Sequence, residues 1–142
     1  MNSYQIQFIE KENILSIVPF LMELNGNISE EILSKRTLEM IEQNYRCLGV
    51  YDKGELIGIC GMWFMTRHYS GRSIEVDHVM INKSYREKGL GKQLFDWIHD
   101  YANKNNVEAC ELNTYVRNTR SHKFYYNLGY EIRGFHFVKE LD

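Results

Sequence analysis

SIEVDHVMINKSYREKGLGKQLF, residues 73–95, decides the fold. Residues 73–81 read as a strand and residues 82–88 as a short polar connection. Gly89-Leu90-Gly91 then opens a helix that carries Leu90, Leu94, Trp97, Ile98 and Tyr101 on one side. Strand, glycine turn and helix start together make a seat for an anion. The first-turn N–H groups of a helix lack intrahelical partners, and the positive end of its dipole favours negative charge. Glycine lets a ligand come close to that backbone. The turn is not a P-loop, because Arg86 stands where the first glycine is required and Gln93 where Ser or Thr would hold magnesium. It is not a dinucleotide fingerprint either, since Leu94 takes the place of the third glycine.

The strand itself changes pattern along its length. One parity carries Ile74, Val76, His78 and Met80, and the other carries Glu75, Asp77, Val79 and Ile81. Two acids followed by two aliphatics on one parity have two explanations. Either the sheet face passes from wet to buried along the strand, or a bulge shifts the parity midway. Both place Glu75 or Asp77 at a cleft edge beside a buried region, where a carboxylate can serve as a base. The plainer reading keeps both acids solvated and paired with Arg72 or a cross-strand lysine.

The rest of the chain limits what this strand can belong to. A length of 142 residues suits one domain, 1–142, with a full core. A hydrophobic share of 44% with 25% charged residues is that of an ordinary globule. The net charge of −2, with no basic stripe, argues against nucleic acid as a partner. No apolar run approaches the roughly 18 residues of a membrane helix, and MNSYQIQFIEKE lacks the basic and apolar regions of a signal peptide. We therefore expect no membrane association and a cytoplasmic location. Cys47, Cys60 and Cys110 are widely spaced and odd in number, which suits free buried thiols rather than a disulfide set or a metal site.

Taken in order, residues 4–8 alternate as a first strand. Residues 12–24 place Ile14, Ile17, Val18 and Leu21 at helical spacing, with Pro19 kinking or delaying that helix. After Asn25-Gly26-Asn27 a second helix starts with Glu30 and Glu31 and shows Ile32, Leu33, Met40 and Ile41 on one side. Residues 46–51 and 55–65 form a hairpin about Asp52-Lys53-Gly54, and residues 67–72 turn into the central strand. Beyond the central helix, residues 107–114 read as a strand and 118–127 as a short helix ended at Gly129. In residues 131–139, Ile132, Gly134, His136 and Val138 alternate with Arg133, Phe135, Phe137 and Lys139, closing the chain as one or two strands. This order predicts an α/β (α+β) domain: a mixed, mostly antiparallel sheet with helices on both faces.

Two motifs narrow the reading. Arg86-Glu87-Lys88-Gly89-Leu90-Gly91 matches R/Q-x-x-G-x-G/A directly after a strand. Asn118 to Tyr130 is similar to N-x-x-A-x-x-F-Y-x-x-x-G-F, with Ser121 for alanine and Tyr130 for phenylalanine. Lys83 stands where a proline is common. With both motifs in this element order, the chain resembles the GNAT superfamily of acyl-CoA-dependent N-acetyltransferases over essentially its whole length. Its ending further resembles small bacterial members that acetylate aminoalkylphosphonates and other small amines.

The resemblance implies a set of roles. Backbone at Arg86, Glu87, Lys88, Gly89, Leu90, Gly91 and Lys92 would seat the pyrophosphate of acetyl-CoA, with Lys88 and Lys92 adding positive charge. Val79, Met80 and Ile81 would pair through their main chain with the pantetheine arm, from which the strand at 107–114 splays away. Asn118 would contact the same region, and Tyr125, beside the coenzyme, would protonate the departing thiolate. The base is Asp77, then Glu75, then His78, or a water. Residues 25–29, 67–72 and 133–136 would shape the acceptor site, with Arg67, His68, Arg72 and Arg133 placed to grip a carboxylate, phosphate or phosphonate. The implied activity is acetylation of a primary amine on a small metabolite such as an amino acid, aminophosphonate, polyamine or amino sugar. The alternatives are acetylation of a protein lysine or N-terminus, and a catalytically inactive acyl-CoA-binding module. A homodimer is compatible with the resemblance, and no metal is implied.

Overall fold

The structure is a computed structural model that describes residues 4–142. A five-stranded sheet runs through its centre in the order β1-β2-β3-β4-β5. The strands are β1 Gln5–Phe8, β2 Tyr45–Asp52, β3 Glu55–Arg67, β4 Gly71–Ile81 and β5 Ala109–Leu112. The helices are α1 Val18–Leu24, α2 Glu30–Ile41, α3 Leu90–Lys104 and α4 Thr119–Asn127, with 3-10 helices at Lys11–Ile17 and Lys83–Tyr85. β1 to β4 pair antiparallel in sequence order, whereas β5 lies parallel to β4 and is reached through α3.

Local sequence explains the hairpins. Lys53 (φ 50°) and Gly54 (φ 84°) are both left-handed, the combination that lets a tight turn follow the twist of its strands. At the β3–β4 turn, Gly71 has φ 79°, and a Cβ there would strike the Glu108 carboxylate. That carboxylate accepts from the Arg72 N–H at 2.9 Å. Pro19 sits in the first turn of α1, where its missing N–H removes no helical bond. The helix expected from residue 12 is accordingly a 3-10 helix up to Ile17 and α-helical only afterwards.

Each face of the sheet carries a core. Leu90, Leu94, Phe95, Ile98 and Ala102 of α3 pack on Leu48, Val50, Ile57, Cys60, Met62, Ile74 and Val76. On the other face, Ile14, Ile17, Val18, Phe20, Leu21 and Leu33 pack on Tyr45, Cys47 and Ile59. α2 turns Leu33, Met40 and Ile41 to the core as expected, but Ile32 is exposed and Thr37 is buried in its stead. The cysteines are free, with Cys47 and Cys60 buried and Cys110 half-buried.

One expected element is absent. Residues 131–139 form no strand, and Phe135, Phe137 and Val138 are exposed. The alternation is there, but β5 is the edge of the sheet and the tail does not lie against it. A segment that finds no ladder partner does not become sheet, whatever its alternation.

Candidate active site

The pattern change in β4 is a bulge. Gly61 of β3 lies opposite His78, and the next residue, Met62, lies opposite Val76, so Asp77 is the extra residue. Ahead of the bulge, Ile74 and Val76 belong to the α3-side core; past it, Val79 and Ile81 pack against that same core. Met80 moves to the α1/α2 side, and His78 turns there to meet Tyr45. Of the two explanations that the alternation allows, the parity shift is the one realised.

β4 also loses a neighbour at this point. Its parallel pairing with β5 runs from Ser73↔Ala109 to Val76↔Leu112 and stops. From Asp77 to Ile81, β4 has β3 on one edge and, among the described residues, no strand on the other. The main chain of Val79, Met80 and Ile81 therefore borders an opening.

The glycine turn lies just past the end of that open edge. Glu87 (φ 62°) and Gly89 (φ 75°) are left-handed, and α3 begins at Leu90 with no side chain capping its first turn. A Cβ on Gly89 would meet nothing within 4 Å, so the backbone angle rather than crowding calls for glycine there. Arg86 does not reach outward with a free guanidinium. Its Nε donates to the Ile81 carbonyl at 2.8 Å, and its Nη2 lies 3.4 Å from Glu23 Oε1. It braces the turn against the end of β4. Lys92 pairs with Asp96 at 2.7 Å, and the Lys88 ammonium stands 5.7 Å from the Tyr85 ring centroid.

α4 brings the second motif to the same place. Asn118 caps it, its side-chain oxygen accepting from the Ser121 N–H at 3.3 Å. Phe124 lies 3.4 Å from where a Cβ on Gly91 would stand, so α4 rests on the first turn of α3. Tyr125 is half-buried, edge-on to Phe95 at 5.5 Å and to Tyr130 at 5.9 Å between centroids. Burial pushes its hydroxyl above the usual phenol value, with a smaller contribution from Cys60, which faces Val79 in register. That hydroxyl has no hydrogen-bond partner among the described residues.

Carboxylates collect on the opposite side of the sheet. Glu75 lies beside Glu111 across the parallel pair, one rung before β4 and β5 part. Glu111 accepts from Ser73 Oγ at 2.6 Å and from Arg67 Nε at 2.8 Å. Burial opposes its charge, but those two hydrogen bonds hold it below the ordinary carboxylate value. Glu75 makes a longer contact to Arg67 Nη2, 3.4 Å. Burial and the neighbouring Glu111 push its pKa up, outweighing Arg67. Asp77 is exposed at the bulge.

His78 is half-buried, and the loss of water around its ring pushes its pKa down to about 4, with Asp77 acting the other way. The ring is therefore neutral near pH 7. Its Nε2 lies 2.6 Å from the Tyr45 hydroxyl. Burial drives that hydroxyl far above the ordinary phenol value, so it keeps its proton and donates it. Nδ1 then carries the ring proton, buried without a partner. A Cβ on Gly61 would collide with both the imidazole and the phenol oxygen, so this glycine makes room for the pair.

Residues 15–130 match the family model for the acetyltransferase (GNAT) family. This chain belongs to that family. An uncharacterized N-acetyltransferase of Bacillus subtilis, YhdJ, is 23% identical over 137 residues, 95% of this chain and 96% of its own length. An aminoalkylphosphonate N-acetyltransferase of Salmonella typhimurium is 27% identical over 89 residues, covering 62% of this chain and 58% of that one. The fold coincides with that of a "possible acetyltransferase" from Clostridium difficile 630, at TM-score 0.85, 18% identity and 98% of both chains. Aminoglycoside N-acetyltransferase AAC(6')-Iy, solved with CoA, superposes at TM-score 0.82 and 16% identity over 99% of this chain and 97% of that one. The protein is a GNAT acetyltransferase, with acetyl-CoA as its acetyl donor.

In this acetyltransferase residues 79–81 have no strand beyond them among the described residues, the turn at 86–92 follows, Tyr125 packs with Val79 and Ile81 against the α3-side core, and Glu75 and Asp77 lie just before and at the bulge. It does not gather the basic residues. Arg67 is held by Glu111 and Glu75, Arg133 pairs with Glu131 in the tail at 2.6 Å, and Arg72 is exposed. Sequence reasoning missed Glu111 and Tyr45. The parallel register would have put Glu111 beside Glu75, but nothing in the alternation of a single strand announces a bond between Tyr45 and His78.

Proposed function

We propose that this acetyltransferase moves the acetyl group of acetyl-CoA to the primary amine of a small metabolite by direct attack. The observation that carries the proposal is the parting of β4 from β5 after Val76↔Leu112. It leaves a slot reached by Tyr125 from the α3 side and bordered by carboxylates on the other. The unclaimed N–H groups of residues 87–92 suit a pyrophosphate. The free main-chain edge of Val79, Met80 and Ile81 suits an amide-bearing arm, with Asn118 at its side. Acetyl-CoA supplies the acyl group as a thioester.

The residues divide the proton work. Glu75, whose proton affinity burial raises, takes a proton from the incoming ammonium, directly or through one water. Asp77, exposed at the mouth, draws the cationic amine in. Attack forms the C–N bond; as the tetrahedral adduct collapses and the C–S bond breaks, Tyr125, kept protonated, gives its phenolic proton to sulfur, the nitrogen sheds its second proton to solvent, and Tyr125 regains one from there. The ranking of Asp77 ahead of Glu75 is reversed on grounds of burial. His78 drops out because Tyr45 occupies its one lone pair. With Arg67 tied to two carboxylates, the site offers an anionic group on the acceptor little purchase, which favours simple amines and polyamines over aminophosphonates.

The test is release of free thiol from acetyl-CoA against a panel of amino acids, an aminophosphonate, polyamines, amino sugars and a lysine peptide. Turnover with small amines supports the proposal, whereas turnover with the peptide alone overturns the acceptor class. Tight coenzyme binding without thiol release from any acceptor overturns catalysis. Tyr125→Phe is expected to keep acetyl-CoA affinity and lose about 100-fold or more in kcat; unchanged kinetics would remove Tyr125 from the reaction.

A further inference from the structure

The register of four strands lines up one row of side chains. Tyr45 of β2 stands opposite Trp63 of β3, Trp63 opposite Glu75 of β4, and Glu75 opposite Glu111 of β5. Residues directly opposite one another in a ladder share a face of the sheet. The row therefore lies on the α1/α2 side, where Tyr45 and Trp63 pack with the second core. It runs from aromatic to acidic and from covered to open. Tyr45 is buried, whereas Trp63, Glu75 and Glu111 are half-buried.

Glu75 is the base of the proposed reaction, so the reacting nitrogen lies against it. What flanks Glu75 then decides what that nitrogen can be attached to. On the β5 side, Glu111 is already claimed by Ser73 Oγ at 2.6 Å and Arg67 Nε at 2.8 Å. A second ammonium there would have to displace the Arg67 guanidinium and would meet its like charge. On the β3 side is Trp63, its ring 5.2 Å from that of Tyr45. Tyr45 is itself held by the 2.6 Å bond to His78, so the aromatic pair is fixed in place. Among the described residues no cation stacks on the indole. One neighbour of the base is thus a satisfied ion pair and the other an unclaimed apolar wall.

We infer that Trp63 determines the specificity of this site by taking the carbon skeleton of the acceptor, a primary monoamine on an apolar alkyl or arylalkyl group. This rests on the proposed acetyl transfer with Glu75 as base, and narrows its acceptor. With its nitrogen at Glu75, such an amine lays its chain on the indole and removes apolar surface from water. A polyamine or amino sugar would bring a second polar group to the same wall and lose part of its hydration without a partner. Trp63 touches the chain of the acceptor and takes no part in proton transfer.

Pentylamine and cadaverine test this, since they share one chain length and differ by a terminal ammonium. Thiol release from acetyl-CoA gives kcat and KM for each amine, and calorimetry on the enzyme–CoA complex gives the affinity of each without turnover. The wild type is expected to favour pentylamine about tenfold or more in KM and in affinity. Trp63→Ala is expected to raise the pentylamine KM about tenfold with kcat and CoA affinity kept, and to erase the preference. Trp63→Phe, which keeps an aromatic wall, is expected to restore most of it. If the alanine variant loses CoA affinity and so fails to fold, the indole is read directly. In Trp97→Phe enzyme Trp63 is the sole tryptophan, and pentylamine is expected to shift its emission to shorter wavelength. Preference for cadaverine, equal use of both amines, or binding of neither overturns the acceptor class. An unchanged KM, a fall in kcat alone, or an unmoved emission removes Trp63. Binding that follows the expected pattern without thiol release keeps the role of Trp63 and overturns the transfer reaction; thiol release indifferent to Trp63 does the reverse.

Discussion

Two stretches lack a strand beside them among the described residues: β4 from Asp77 to Ile81 on one edge, and residues 131–139 of the tail altogether. The first lies near a helix N-terminus, a phenol and two carboxylates; the second sets exposed Ile132, Phe135, Phe137 and Val138 among Glu131, Arg133, His136 and Lys139. A missing strand partner is common to both, so it does not by itself mark a ligand site. The chemistry around it decides whether a coenzyme arm can take the place of the missing strand. β4 is held fully on its β3 side, which keeps the opening rigid, whereas the tail is held at its root alone.

The comparison can be broken by changing one stretch and reading the other. Glu75→Gln is expected to have the largest effect, lowering kcat about 100-fold or more and abolishing the acid limb of the pH–rate profile. Because burial raises the Glu75 pKa, that limb is expected above the ordinary carboxylate range in the wild type. Asp77→Asn is expected to act mainly on KM for the amine. Neither should alter amide hydrogen exchange at residues 131–139, and a change there would join the two stretches into one system.

Next in size is a pH effect on stability. The folded pKa of His78, about 4, lies below its unfolded value near 6.5. The unfolded chain therefore binds more protons between those values. Stability from this group is complete above pH 6.5 and is lost as pH falls toward 4, by up to about 3 kcal/mol. Urea midpoints over that range should show the loss, and His78→Gln should flatten the slope. Gly61→Ala pushes on the same Tyr45–His78 pair and is expected to cost about 1–3 kcal/mol in denaturant unfolding. Gly89→Val is expected to weaken acetyl-CoA binding about tenfold in calorimetry, since a β-branched residue there strains a left-handed backbone by about 1–2 kcal/mol.

The elements that sequence made legible are those fixed by local chemistry. The left-handed turn at Lys53-Gly54, the glycine start of α3 and the Asn118 and Gly129 ends of α4 each follow from a few adjacent residues. The anomaly in β4 was visible, but its cause was not, because a bulge is a relation between two strands and only pairing with Gly61 and Met62 reveals it. Glu111 was hidden for the same reason: it meets Glu75 through a parallel register that α3 creates. The tail departs from its expected strand because alternation reports an ability to pair, and residues 131–139 meet no ladder partner among the described residues.

The bulge at Asp77 also sets an asymmetry in how the gene can vary. Substituting Asp77 changes one side chain at the mouth of the slot. Deleting its codon would remove the extra residue and let β4 alternate without a bulge, keeping Val79 and Ile81 on the α3 side and His78 and Met80 on the other. A library of single substitutions and single deletions through residues 73–81 should therefore keep a folded sheet on deletion of Asp77 and lose it on deletion of Val79, which exchanges the faces of Met80 and Ile81.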